Sequence, residues 1–289
     1  MNWLSASEKE EAASCSSYAY YKMSKNASIP PNDNSTPIIE ARNSAASSMV
    51  VRYLISEKGD IVVALKKLRS TLKWRKEQNI DLLRDCFESS DPLAIKFRER
   101  IRHFVGLTGK LVVSGYDKEH RACWHTIGRR SPPGTQSDHE GCMLSHFYFL
   151  ERALACSEAK SLKEGWKVPQ GKVIVSVDFG GFKKHHAPLM STVKELLHGL
   201  LNHYPERLFR VYLVGPPLVF CCLWKMVAPF IDEKTKEKFQ FLTKERATKV
   251  FEEAVGKDEC LPYQHEKGKL SDEFDMDDFF LAIPFDECY

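Results

Sequence analysis

The sequence predicts an α/β protein: a helical N-terminal lobe, then a larger domain on a mainly parallel sheet. No strand signal appears before about residue 107, although helical periodicity recurs well before it. KVIVSVD (172–178) and LFRVYLV (208–214) are apolar on both alternating faces, as strands inside a parallel sheet are. From residue 172 onward strand, helix, strand, helix and strand alternate at the lengths of βαβ units.

Residues 1–40 are rich in Ser, Asn, Ala and Pro (SKNASIPPNDNSTP) and predict a disordered tail. Residues 41–105 predict the helical lobe. Within it Ile61, Leu65, Leu68 and Leu72 recur at the spacing of one helix face. Residues 48–58 and 91–104 read as its other helices.

Residues 106–270 predict the main domain. Short strands at 111–113 and 122–127 are joined by the polar turn GYDKEHR. A loop rich in turn residues precedes a long helix over 139–160. The 172–178 strand leads to a helix whose apolar face runs from Leu189 to Tyr204 and is stopped by Pro205. After the 208–214 strand come an apolar helix at 218–228, a short strand at 239–242 and a helix over 244–255.

The apolar helix belongs to PPLVFCCLWKMVAPFID (216–232), where Lys225 is the one charge between Leu218 and Phe230. A bilayer span needs about 20 apolar residues. Gly215, Pro216 and Pro217 cut the run into pieces too short for that, which leaves a buried core helix or a cover that meets lipid.

The chain has 289 residues and a net charge of +3. Residues 271–289 hold seven acids and no Lys or Arg, so without them the first 270 residues carry +10. An acidic, aromatic and mobile tail is expected there, weakening docking to anionic membranes by competing for the basic body. That body favours an anionic membrane surface, and no nucleic-acid module is present, so no nucleic-acid partner is expected.

Nine cysteines without metal-type spacing suit a reducing compartment, and the Asn26 and Asn34 sequons then carry no meaning. MNWLSASEKEEAASC places acids where a signal peptide needs basic and then apolar residues. The expected localisation is cytoplasmic, peripherally associated with membranes.

No motif points to catalysis. Asp178-Phe179-Gly180 spells a kinase metal triplet without the other kinase signatures. GLTGK (106–110) is too short for a phosphate loop and puts Leu111 where Ser or Thr is needed. His185-His186 lack metal-ligand spacing. The expectation is no catalytic residue, metal or cofactor.

NHYPERLFRVYLVGPPLVFCCLWKMVAPFIDEKTKEKF, from Asn202 onward, resembles the CRAL-TRIO lipid-binding family, in particular its phosphatidylinositol/phosphatidylcholine transfer branch. VIVSVDFGG resembles that family's strand and Asp-(Leu/Phe)-Gly-Gly turn. VVRYLISEKGDIVVALKKLRSTLKWRKE resembles its helical N-terminal segment with the closing Trp-Arg. The resemblance covers about residues 45–265, and LPYQHEKG departs from the family's acidic-Gly-Gly ending.

The resemblance implies a sheet flooring an apolar lipid pocket that a gate helix closes. Val173, Val175 and Val177 then line the pocket, and the gate carries Phe220, Leu223, Trp224, Val227 and Phe230. A two-chain lipid has on the order of 30 methylenes, each worth about 0.8 kcal/mol out of water, so it travels only under such a cover.

Glu206, Lys238 and Lys58 match the positions that hold the phosphatidylinositol headgroup. Beside Lys58 this chain has Glu57 where the family has arginine. Where dual-specificity members offer two hydroxyls to phosphatidylcholine, Val173 and Val175 stand here. The implied function is that of a monomeric, non-enzymatic carrier exchanging phosphatidylinositol at membrane surfaces. The rivals are a carrier of a tocopherol, retinoid or sterol-like ligand, an adaptor presenting phosphoinositide to a lipid kinase, and a hydrolase with an unrecognised Cys–His or Ser–His pair.

Overall fold

The computed structural model describes residues 3–26, 36–106, 109–255 and 276–281. The chain divides into two compact units, residues 1–81 with 199–206, and residues 82–198 with 207–289. The lobe expected over residues 41–105 spans this division at residue 81.

The smaller unit contains α1 (Ala6–Ser16), α2 (Tyr18–Asn26), α3 (Thr36–Ser56) and α4 (Ile61–Glu77). Its core joins Ala12 and Ala13 to Ala46, Met49, Tyr53 and Leu68. The last residues of a later helix complete it, with the His203 ring stacked on Trp74 at 4.1 Å.

Of the disordered tail expected over residues 1–40, the stretch 6–26 is corrected by α1 and α2, and residues 27–35 lie outside the described residues. Ser5 and Glu8 form a reciprocal capping box, the Glu8 N–H donating to Ser5 Oγ at 3.2 Å and the Ser5 N–H to Glu8 Oε2 at 2.8 Å. Two alanines small enough for close packing then bury α1 on α3.

The larger unit begins with α5 (Ile80–Arg84), which straddles the division, and α6 (Pro92–Val105). Its sheet runs in the order β1 (Leu111–Tyr116), β2 (Ala122–Ile127), β3 (Val173–Asp178), β4 (Leu208–Val214), β5 (Phe239–Leu242). The β1–β2 pair is antiparallel and the other pairs are parallel. Asp138 caps α7 (His139–Lys163), which packs on α6 and the β1–β2 side of the sheet. The remaining helices are α8 (Met190–His203), α9 (Leu218–Val227), α10 (Glu233–Lys236), α11 (Lys244–Ala254) and α12 (Met276–Leu281).

Strand alternation gives the sheet two faces. On one, Ile174, Tyr212, Val214 and Leu242 are sealed by Ala247 and Phe251 of α11. On the other stand Val175, Val177, Val211, Leu213 and Phe239.

The acidic tail expected to be mobile is also corrected over α12. Phe279 and Phe280 are fully buried, stacking on Phe149 at 5.8 Å and on Phe87 at 4.2 Å. Asp277 lies 2.9 Å from Arg102. Burying two aromatic rings outweighs the chain entropy that the acidic composition would otherwise favour. The rest of residues 271–289, and the LPYQHEKG stretch, lie outside the described residues.

Candidate ligand-binding face

β3 is the central strand of five, where a parallel sheet is ordinarily covered on both sides. Its alternate residues Ile174, Ser176 and Asp178 are buried. Val175 and Val177, which face the other way, are only part-buried, and Val173 at the strand's start is buried. Apolar surface at the middle of a sheet is thus left for something else to cover.

α9 is the cover present. Phe220 meets Phe179 at 4.6 Å, and Trp224 meets Phe239 at 4.6 Å and Phe241 at 5.6 Å, so aromatic edges and faces hold the helix to the sheet. Val227 is buried, while Leu218 is 86% exposed and Met226 is also exposed. The helix is therefore apolar towards the sheet and towards solvent alike. The Leu223 side chain lies outside the described residues.

Phe230 corrects the gate as read from sequence. α9 ends at Val227, and Phe230 sits in a following 3-10 turn (Ala228–Phe230), 67% exposed, with Lys194 Nζ 5.9 Å from its ring centre. Pro229 cannot supply the N–H that a longer helix would need.

The turn after β3 steadies the aromatic seat under α9. Asp178 is buried and paired with Arg129, and its Oδ1 accepts the Gly180 N–H at 2.8 Å. Gly181 takes a positive φ of 68° that a side chain would strain. Phe179, Phe239 and Phe241 were missed as site residues. The period-2 pattern of FQFL carried the signal for the last two.

Lys58 and Glu206 share a backbone feature, with φ values of 53° and 58° in the left-handed region that non-glycine residues rarely adopt. Lys58 closes α3: the Gly59 N–H reaches the Leu54 carbonyl at 2.8 Å and the Lys58 N–H the Ile55 carbonyl at 3.3 Å, a Schellman arrangement that favours glycine or asparagine at the Lys58 position. Glu206 follows α8 and is half-buried. Such strain concentrates at functional positions.

Lys238 is half-buried just ahead of β5, where its carbonyl accepts the Val211 N–H at 2.9 Å. Arg207, next to Glu206 in the chain, is buried and sends Nη1 to the Gly171 carbonyl at 3.1 Å. Lys58 and Glu206 belong to the smaller unit and Lys238 to the larger. Among the described residues no cluster of three metal-ligating side chains occurs, and no helix is long and apolar enough to cross a membrane.

A family model for the CRAL/TRIO domain matches residues 107–263, more than half of the chain. The chain belongs to the CRAL-TRIO family. Among its relatives, the phosphatidylinositol transfer protein PDR17 of Saccharomyces cerevisiae is 30% identical over 198 residues, covering 66% of this chain and 51% of the relative. Patellin-4 of Arabidopsis thaliana is 21% identical over 241 residues, covering 82% of this chain and 41% of the relative. The chain thus spans about half the length, or less, of these curated CRAL-TRIO relatives. The crystal structure of Sfh5 superposes with a TM-score of 0.57 at 15% identity, covering 81% of this chain and 77% of the other, and shows the same fold. A mainly parallel sheet beneath an apolar cover is the CRAL-TRIO architecture that the sequence resemblance implied.

Proposed function

We propose that this protein is a non-catalytic carrier that holds one membrane lipid between α9 and the open face of the sheet and exchanges it at bilayer surfaces. Phosphatidylinositol is the cargo that fits best. The observation that carries this reading is the part-exposed pair Val175 and Val177 at the centre of a parallel sheet, beneath a helix that is apolar on both sides. Acyl chains complete that face with the burial it lacks. They also account for an outward-facing Leu218, which meets lipid when the cover lifts.

Retention of Glu206 and Lys238 supports phosphatidylinositol. A carboxylate accepts from inositol hydroxyls and an ammonium pairs with the phosphodiester. Lys58 adds a second cation. A relative named as a phosphatidylinositol transfer protein supports the same cargo. The setting that follows is the cytoplasm, with transient contact at membranes and the protein acting as a monomer.

A second reading, a more apolar ligand such as a sterol-like molecule, is favoured by Val173 and Val175, which give the pocket face no hydroxyl. Mass spectrometry of lipids extracted from the purified protein separates the two. Phosphatidylinositol at near one-to-one occupancy is the expected result, and a neutral lipid alone would replace the first reading with the second.

A further inference from the structure

At the carboxyl ends of β2 and β3 the larger unit gathers cations. The loop after β2 and the turn after β3 are pressed together there. A side chain on Gly128 would collide with the Phe182 ring, and Arg129, paired with Asp178, lies along Gly180 and Gly181. From Arg129 to Ser137, and from Phe179 to Lys194, the sequence holds no Asp or Glu. Arg129, Arg130, Lys183, His185 and His186 all fall within these two stretches. The bordering acids are already engaged. Asp138 accepts from Arg100 at 2.6 Å and from the Gly141 N–H at 2.9 Å, and Glu195 lies 3.4 Å from His139.

Two of the bases here are built in a way that calls for an anion. Lys110 stands beside the end of β2, where its carbonyl accepts the Ile127 N–H at 2.8 Å. It is only 6% exposed, with Nζ 3.7 Å from the centre of the Phe104 ring. Among the described residues no carboxylate comes within ion-pair distance of it, although a buried cation ordinarily has such a partner. Burial lowers its pKa to about 8. In the turn after β3, His186 Nδ1 accepts the Lys183 N–H at 3.0 Å, which puts the ring proton on Nε2. Burial, and after it the charges of His185, Lys183 and Lys110, hold the His186 pKa below its ordinary value. These groups therefore share one positive field, which a bound anion would relieve.

We propose that this end of the sheet binds a phosphate group, with Lys183 Nζ and His186 Nε2–H as its ligands and Lys110 as the buried counter-charge. Lys238 stands ahead of β5, at the amino ends of the same parallel strands, so the site is separate from that headgroup position. It does not depend on the carrier reading. A lipid phosphomonoester and free phosphate share the chemistry it recognises.

The test follows the His186 ring by NMR while inorganic phosphate is added to the full chain. Saturation should raise its pKa by about one pH unit, as an anion in contact does. Lys183→Ala, a change at an exposed side chain, should need about tenfold more phosphate for the same rise. No rise, an equal rise with sodium chloride at matched ionic strength, or an unchanged midpoint in Lys183→Ala overturns the proposal. Partition onto phosphatidylcholine vesicles carrying phosphatidic acid then names the source. A loss of about tenfold in Lys183→Ala assigns a lipid phosphate, and equal partition beside the NMR response assigns free phosphate. Either result upholds the site.

Discussion

The guanidinium of Arg152, fully buried on α7, lies 3.7 Å over the Phe279 ring and donates from Nη2 to the Phe279 carbonyl at 2.6 Å. Another nitrogen of the same group donates to the Tyr148 hydroxyl at 3.3 Å. A buried cation is thereby joined to a segment beyond the matched family domain. Taking α12 away withdraws a carbonyl acceptor from that cation and uncovers Phe87, Tyr148 and Phe149.

The first expectation concerns stability. Phe279→Ala should cost about 3–5 kcal/mol, as truncating a fully buried aromatic does. Truncation after residue 270 should cost at least as much, because Arg152 then loses an acceptor in a dry site. Denaturant midpoints measure both. A truncated protein as stable as the full chain would mean that α12 does not dock in solution.

α9 is expected to move. Its amides should lose protection from hydrogen exchange when anionic vesicles are added, while those of β4 beneath keep theirs. Phe220→Ala, which removes the contact with Phe179, should speed α9 exchange even without vesicles. Unchanged protection of α9 on vesicles would make it a fixed core helix, the alternative its composition leaves open.

A pH effect follows from His125. It is buried, and its Nε2 donates to the Ser114 carbonyl at 3.1 Å. Burial pushes the imidazole pKa down to about 4 from an ordinary 6.5. The folded protein keeps it neutral, whereas the unfolded chain takes up a proton below pH 6.5. Stability is therefore intact above that pH and falls as pH drops towards 4, by about 3 kcal/mol at most from this residue. Melts of the natural protein and His125→Asn across this range are the check. Equal slopes for the two would remove His125 as the cause.

The headgroup residues make a sharper demand on transfer. Glu206→Ala and Lys238→Ala should each lower phosphatidylinositol exchange about ten- to hundredfold, the worth of a charge-assisted hydrogen bond to a buried partner. Lys58→Ala should lower it less, since Lys58 is exposed. Normal exchange by folded Glu206→Ala and Lys238→Ala would remove these residues from the site.

Much of this was legible because buried strands leave a strong local signal. The bounds of β2, β4 and β5 coincide with their apolar runs, and α9 follows from its proline bracket. α12 was not legible: its six residues hold a helix only through Phe87, Phe149 and Arg152, far away in sequence. α1 left a readable trace in Ser5 and Glu8, a capping box overshadowed by the polar composition after it. Phe230 was given to the gate by resemblance, whereas the helix stops at Val227 ahead of Pro229. The headgroup positions were reached by resemblance, and only folding showed the left-handed backbone that Lys58 and Glu206 share.

The central claim is that an apolar face beneath α9, lacking hydroxyls at Val173 and Val175, carries phosphatidylinositol in preference to phosphatidylcholine. A buried phosphate left short of partners costs roughly 1–3 kcal/mol. The direct measurement is a side-by-side vesicle transfer assay of both lipids, with the natural protein and with Val173→Ser, Val175→Thr. The expected result is rapid phosphatidylinositol transfer, weak phosphatidylcholine transfer, and a gain in phosphatidylcholine for the double variant. Transfer of neither lipid above the spontaneous rate, or equal transfer of both by the natural protein, would contradict the claim.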